Sequence, residues 1–74
     1  MNSTRNEKIL KKFGKNLEKL RSEKNLSLRK LADIADVDFS QIHRIEKGES
    51  NPTLTMILAL AEALKIQAVE LLDF

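Results

Sequence analysis

The sequence contains no cysteine. That excludes disulfides, thiolate-ligated zinc, iron–sulfur clusters and thiol nucleophiles, and nothing marks an oxidising compartment. It contains one histidine, His43, and a single imidazole without cysteine or a second histidine does not build the usual zinc site. His43 and Glu46 stand three apart, but one such pair is not a metal site. The longest nearly apolar stretch, residues 54–61, is interrupted by Thr55 and is far short of the roughly 20 residues that span a bilayer. No apolar segment of a signal peptide follows the basic N-terminus, so the expected compartment is the cytoplasm. A chain of 74 residues makes one domain with little room for an enclosed pocket. The expectation is a chain that is no enzyme and takes no cofactor or metal.

What is present is charge and apolar periodicity. Hydrophobic residues make up 42% and charged residues 32%, a balance that suits a folded domain rather than a disordered one. The net charge of +2 conceals a gradient. Residues 1–24 carry eight basic and three acidic side chains, whereas residues 25–74 carry five and eight. The basic block reads as a solvated helix face or as a surface held near an anion such as DNA.

Two glycines, one proline and no strand-like alternation leave helical periodicity throughout. Ile9, Phe13, Leu17 and Leu20 form the stripe of a first helix, closed by Asn25 and Leu26, and residues 1–8 read as a flexible basic arm. Ser27 caps a second helix with Leu28, Leu31, Ile34 and Ala35 as its buried side. Asp36, Val37 and Asp38 form a turn. Asp38 caps a third helix, with Gln41 in capping-box position, that runs to about Lys47 and is closed by Gly48. After a loop at 49–52, Thr53 caps a fourth helix whose apolar positions are Leu54, Ile57, Leu58, Ala61 and Leu64. Residues 67–72 form a short fifth. The predicted fold is an all-α, compact five-helix domain over residues 9–74.

Residues 28–47 carry the functional signal. Leu31, Ala35, Val37, Ile42 and Ile45 are apolar, and Ala32 is small where two helices must approach closely. This is the pattern of two short helices joined by a tight turn. At about 100° per residue, Ile42, Ile45 and Glu46 share one side of the third helix. Ser40, His43, Arg44 and Lys47 fall on the opposite side, with Phe39 on the border. An ordinary amphipathic helix has a polar face too, but a face of donors opposite an anchored side is what a recognition helix requires.

From Gly14 to Leu72 the residues fall into a known order. Gly14, Leu17, Leu20 and Arg21 come first, then Leu26, Ser27, Leu31, Ala32 and Val37. Ile42, Ile45, Glu46 and Gly48 follow, then Asn51, Pro52 and Thr53. Leu60, Ala61, Ala63, Leu64, Leu71 and Leu72 complete the set. This order resembles the Cro/C1-type, or XRE, helix-turn-helix family of phage repressors, bacterial regulators and antitoxins, and it implies a lambda-repressor-like fold.

The resemblance implies a homodimeric transcriptional regulator, expected to be a repressor, that binds double-stranded DNA. Arg21 and Glu46 match positions that pair helix 1 with helix 3. Arg44 is the best base reader, because guanidinium is bidentate to guanine. Ser40, His43 and Phe39 are further candidates; Phe39 either touches a thymine methyl or covers the core edge. Ser27, the Leu28 N–H, Arg29, Lys47, Ser50, Asn51 and Lys15 are the expected phosphate contacts. Val69, Leu72 and Phe74 either pair two copies or finish the core.

Five positions depart from the family pattern. Leu28 replaces a glutamine that braces the recognition helix. Arg29 and Lys30 stand where acidic residues are usual, Asp36 where glycine is usual, and Phe39 where a polar residue is usual. Two other functions remain compatible: an antitoxin that neutralises a partner toxin, and a protein-interaction module without DNA binding.

Overall fold

The computed structural model describes residues 6–74, among which there are five helices and no strand. Helix α1 spans Glu7–Glu23, and Asn6 caps it by accepting the Ile9 N–H at 3.1 Å. Glu7 adds a negative charge at the positive end of the helix dipole. Asn6, Glu7 and Lys8 therefore belong to the start of α1, not to the expected arm; residues 1–5 lie outside the described residues. The buried stripe is Leu10, Phe13, Gly14 and Leu17, and Ile9 is exposed, which corrects the stripe read from sequence. A spacing of four drifts by about 40° per step, so Ile9 stands about 80° from Leu17, whereas Leu10 is displaced by about 20°.

Helix α2 is Leu28–Ala35, α3 is Phe39–Glu46, α4 is Leu54–Leu64 and α5 is Ala68–Leu71. Ser27 Oγ accepts the Lys30 N–H and Thr53 Oγ1 that of Met56, at 3.0 and 3.1 Å. Asp38 caps α3 through Ser40, at 3.2 Å, rather than through Gln41. The capping box of this fold is at α5, where the Gln67 N–H donates to Glu70 Oε2.

The first four helices end in the same way. Asn25, Asp36, Gly48 and Lys65 have φ of 58°, 57°, 75° and 58°, and the residue after each returns its N–H to a carbonyl five residues back. These are Schellman closures, and the apolar Leu26, Val37 and Ile66 that follow three of them pack against the core.

Leu17, Leu31, Ile42, Ile45, Leu60, Leu64 and Leu71 are fully buried, so every helix contributes to one core. Besides Ile9, three expected core residues lie outside it. Ile34 is exposed because the buried face of α2 is centred between Leu31 and Ala32, about 110° away. Leu54 and Leu58 are exposed, Leu54 by 70%. Helix α4 is apolar almost all round, and its packed face is set by Ile57, Leu60, Ala61 and Leu64. Asn16 on α1 holds α5 in place, donating through Nδ2 to the carbonyls of Glu70 and Leu71 at 2.9 Å each.

Both glycines of the chain sit where α1 meets the end of α3. A Cβ on Gly14 would overlap the carbonyl oxygens of Ile45 and Glu46. A Cβ on Gly48 would stand 2.8 Å from Lys11 Cα. Alanine normally improves a helix interior over glycine by about 0.5–1 kcal/mol. Here the sign reverses: Gly14→Ala should destabilise the domain by about 1–3 kcal/mol, the usual range for overpacking. Exposed Lys12→Ala should change stability by less than about 0.5 kcal/mol. Denaturant melts of the two variants check this, and a Gly14→Ala protein as stable as wild type contradicts the close crossing.

Candidate nucleic-acid interface

Helix α3 is anchored on one side. Ile42, Ile45 and Glu46 are buried, and Asp36 in its left-handed conformation turns the chain sharply from α2 into α3. The side chains of Ser40, His43 and Arg44, and of Lys47 at the C-cap, are exposed on the other side. The sequence expected this division, and it puts two cations, a hydroxyl and an imidazole on one outward surface.

The anchor is an ion pair. Arg21 Nε donates to Glu46 Oε2 at 2.6 Å and Nη2 to Oε1 at 3.0 Å, while Nη1 donates to the Leu26 carbonyl at 2.7 Å. One guanidinium thus joins α1, the segment leading into α2, and the last residue of α3. The Arg21 side chain is 13% exposed and that of Glu46 only 3%. The hydrogen bond to Glu46 raises the arginine pKa above its ordinary value against the opposing effect of burial. Both oxygens of the Glu46 carboxylate are thus bonded to Arg21. No group of three or more His, Asp or Glu among the described residues is placed to hold a metal ion.

The remaining candidates surround α3 unevenly. Ser27 is exposed at the N-terminus of α2, its Oγ accepting the Lys30 N–H. The N–H groups of Leu28 and Arg29 begin the helix and have no intrahelical acceptor. The Leu28 side chain is half-buried against the core, which accounts for an apolar residue there. Phe39 is half-buried too and packs against the core at the first turn of α3. The Arg29 guanidinium lies over its ring, 4.7 Å from the centroid, and the His43 ring is 6.5 Å away. This Arg29–Phe39 contact was not visible in the sequence. Ser50 is half-buried and Asn51 exposed in the loop after Gly48, and Lys15 is exposed on α1 next to Gly14.

Breaking a buried pair leaves an uncompensated charge, so Arg21→Ala should destabilise the fold by about 3–5 kcal/mol. Replacing both partners, as Arg21→Met with Glu46→Leu, should recover most of that loss. Thermal melts of the single and double variants check the pair, and a single variant no weaker than Lys19→Ala contradicts it.

The helix-turn-helix family model of the Cro/C1 (XRE) type matches residues 17–71. The chain is 38% identical over 63 residues to the control protein C.BamHI of Bacillus amyloliquefaciens, covering 84% of this chain and 78% of that one. The crystal structure of the restriction-modification controller protein C.AhdI from Aeromonas hydrophila superposes with a TM-score of 0.83 at 44% identity, covering 84% of this chain and 94% of that one. The clp gene regulator ClgR of Corynebacterium glutamicum, at 22% identity, shares the fold with a TM-score of 0.83 over 86% of this chain and 82% of its own. These relatives are control, controller and regulator proteins. With α3 anchored on one side and a polar face on the other, the chain belongs to the Cro/C1-type helix-turn-helix family of DNA-binding transcriptional regulators.

Proposed function

We propose that this chain is the controller protein of a restriction–modification system, acting as a homodimer that sets α3 of each copy into the major groove of its operator. The observation that carries the reading is the division of α3, with Ile42, Ile45 and Glu46 buried and Ser40, His43, Arg44 and Lys47 exposed. Likeness to two controller proteins, C.BamHI and C.AhdI, supports the choice of regulator over antitoxin. Arg44, in the middle of the exposed face, is the guanine reader, with Ser40 and His43 beside it. Ser27, the Leu28 N–H, Lys47, Ser50, Asn51 and Lys15 take phosphates along the two flanks. Occupancy of a site that overlaps a promoter excludes polymerase, so repression is the expected effect.

One α3 reads only a few base pairs, and pairing two copies about 34 Å apart doubles the site. Exposed apolar side chains at the C-terminal end suit that role: Val69, Leu72 and Phe74. Leu72 and Phe74 also border a groove of about 140 Å³ that reaches Ile9, Leu10, Phe13 and Ile57. Phe74 sits edge-on to Phe13 at 6.3 Å, so one side of its ring completes the fold while half its surface stays open.

Two measurements test the reading. Arg44→Ala should cost about 1–3 kcal/mol on a selected site and much less on random duplex. Lys47→Ala should weaken both alike and lower the log–log salt slope by about one. An unchanged ratio of specific to random affinity in Arg44→Ala contradicts its role. Separately, Val69→Glu should sediment as a folded monomer; a dimer as strong as wild type excludes this surface.

A further inference from the structure

We propose that Arg29 is a second base reader, which takes a guanine in the major groove, and that Phe39 is the positioning residue that holds its guanidinium there. The inference rests on the reading of α3 as a recognition helix and deepens it. The first turn of a recognition helix is where base edges are normally met. In this chain that position is Phe39, which has no hydrogen-bonding group, and its ring is half-buried against the core. The side chain of Arg29 crosses from α2 to α3 and covers the ring at 4.7 Å. A phenyl ring accepts no conventional hydrogen bond, so a guanidinium held over it keeps N–H donors for another partner. The contact thus places hydrogen-bond donors at the first turn of α3, where Phe39 itself has none.

Two features favour a base over a phosphate. The N-terminus of α2 already presents the Leu28 N–H and the Ser27 hydroxyl to a phosphate. A cation in the first turn of α2 also opposes the helix dipole, so the isolated fold gains little from Arg29 at its own helix end. Reaching Phe39 moves the charge off that end and fixes it, and a fixed fork discriminates where a free one only attracts. The contact further supplies a tie between the start of α2 and the start of α3, at a place where the Leu28 side chain has no polar group to make one.

The test is selection of sites from random duplex DNA, followed by titration on the selected and a scrambled duplex, with melts as a control. The proteins are wild type, Arg29→Ala, Arg29→Lys, Phe39→Leu, Phe39→Tyr and the Arg29→Ala, Phe39→Leu double variant. Arg29→Ala should lower the ratio of selected to scrambled affinity by about 5- to 140-fold, the range for one bidentate contact, and erase a G·C preference at one position per half-site. Arg29→Lys should not restore it, because an ammonium keeps the charge without the fork. Phe39→Leu should lose preference at that same position, with the double variant no worse than Arg29→Ala, while Phe39→Tyr retains it. If Arg29→Ala weakens both duplexes equally and leaves the motif unchanged, Arg29 is a phosphate contact and the inference fails. If Phe39→Leu erases a T·A preference that Arg29→Ala keeps, Phe39 reads a thymine methyl itself and the inference also fails. Wild type without any sequence preference overturns the regulator reading, and this inference with it; a full set of preferred positions retained in Arg29→Ala overturns this inference alone.

Discussion

The bidentate bond from Arg21 to Glu46 fixes α3 in its place, and the exposed surface follows from it. A buried ion pair is weak evidence of net stability, since desolvation opposes the attraction. Its effect here is orientation. Glu46 is the last residue of α3, and Arg21 also binds the Leu26 carbonyl just ahead of α2. Rotation of α3 about its axis would break two charged hydrogen bonds and expose a carboxylate. The two glycines serve the same crossing, because Gly14 lets the backbone of α3 approach α1 and Gly48 lets the chain leave past Lys11. With Ile42 and Ile45 buried beside Glu46, the outward side of α3 has one available orientation.

The repeated helix closure does the corresponding work between elements. A left-handed residue after each of the first four helices satisfies the final carbonyls and turns the chain within two or three residues. Asp36 is the most consequential of them, because the turn it makes sets how α3 follows α2. Val37 then packs against the core and pins the turn. The N-terminus of α2 and the face of α3 are thereby held by a short, internally bonded connection, as a surface that must match a groove requires.

Local chemistry was readable from sequence, and tertiary choices were less so. Ser27, Asp38 and Thr53 act as caps because a short oxygen-bearing side chain before an apolar run meets an adjacent N–H whatever the rest of the chain does. The pair of Arg21 and Glu46 came from resemblance; nothing in their spacing of 25 residues shows it. Leu54 and Leu58 were misplaced because α4 offers apolar residues on nearly every side, and only its neighbours select a face. Lys65 carries no signal for a left-handed conformation, in contrast to Asn25 and Asp36, whose side chains tolerate it. The Arg29–Phe39 contact depends on the angle between two helices, which residue types alone do not specify.

The most direct test of a two-fold reader built on α3 is the pattern of sites that wild-type protein selects from random duplex DNA, read together with the stoichiometry of the complex. The expected result is a pair of inverted half-sites with centres about 34 Å apart, one helical turn, bound by two copies of the chain. Recovery of no motif, or of a single half-site bound by one copy with full affinity, would contradict it.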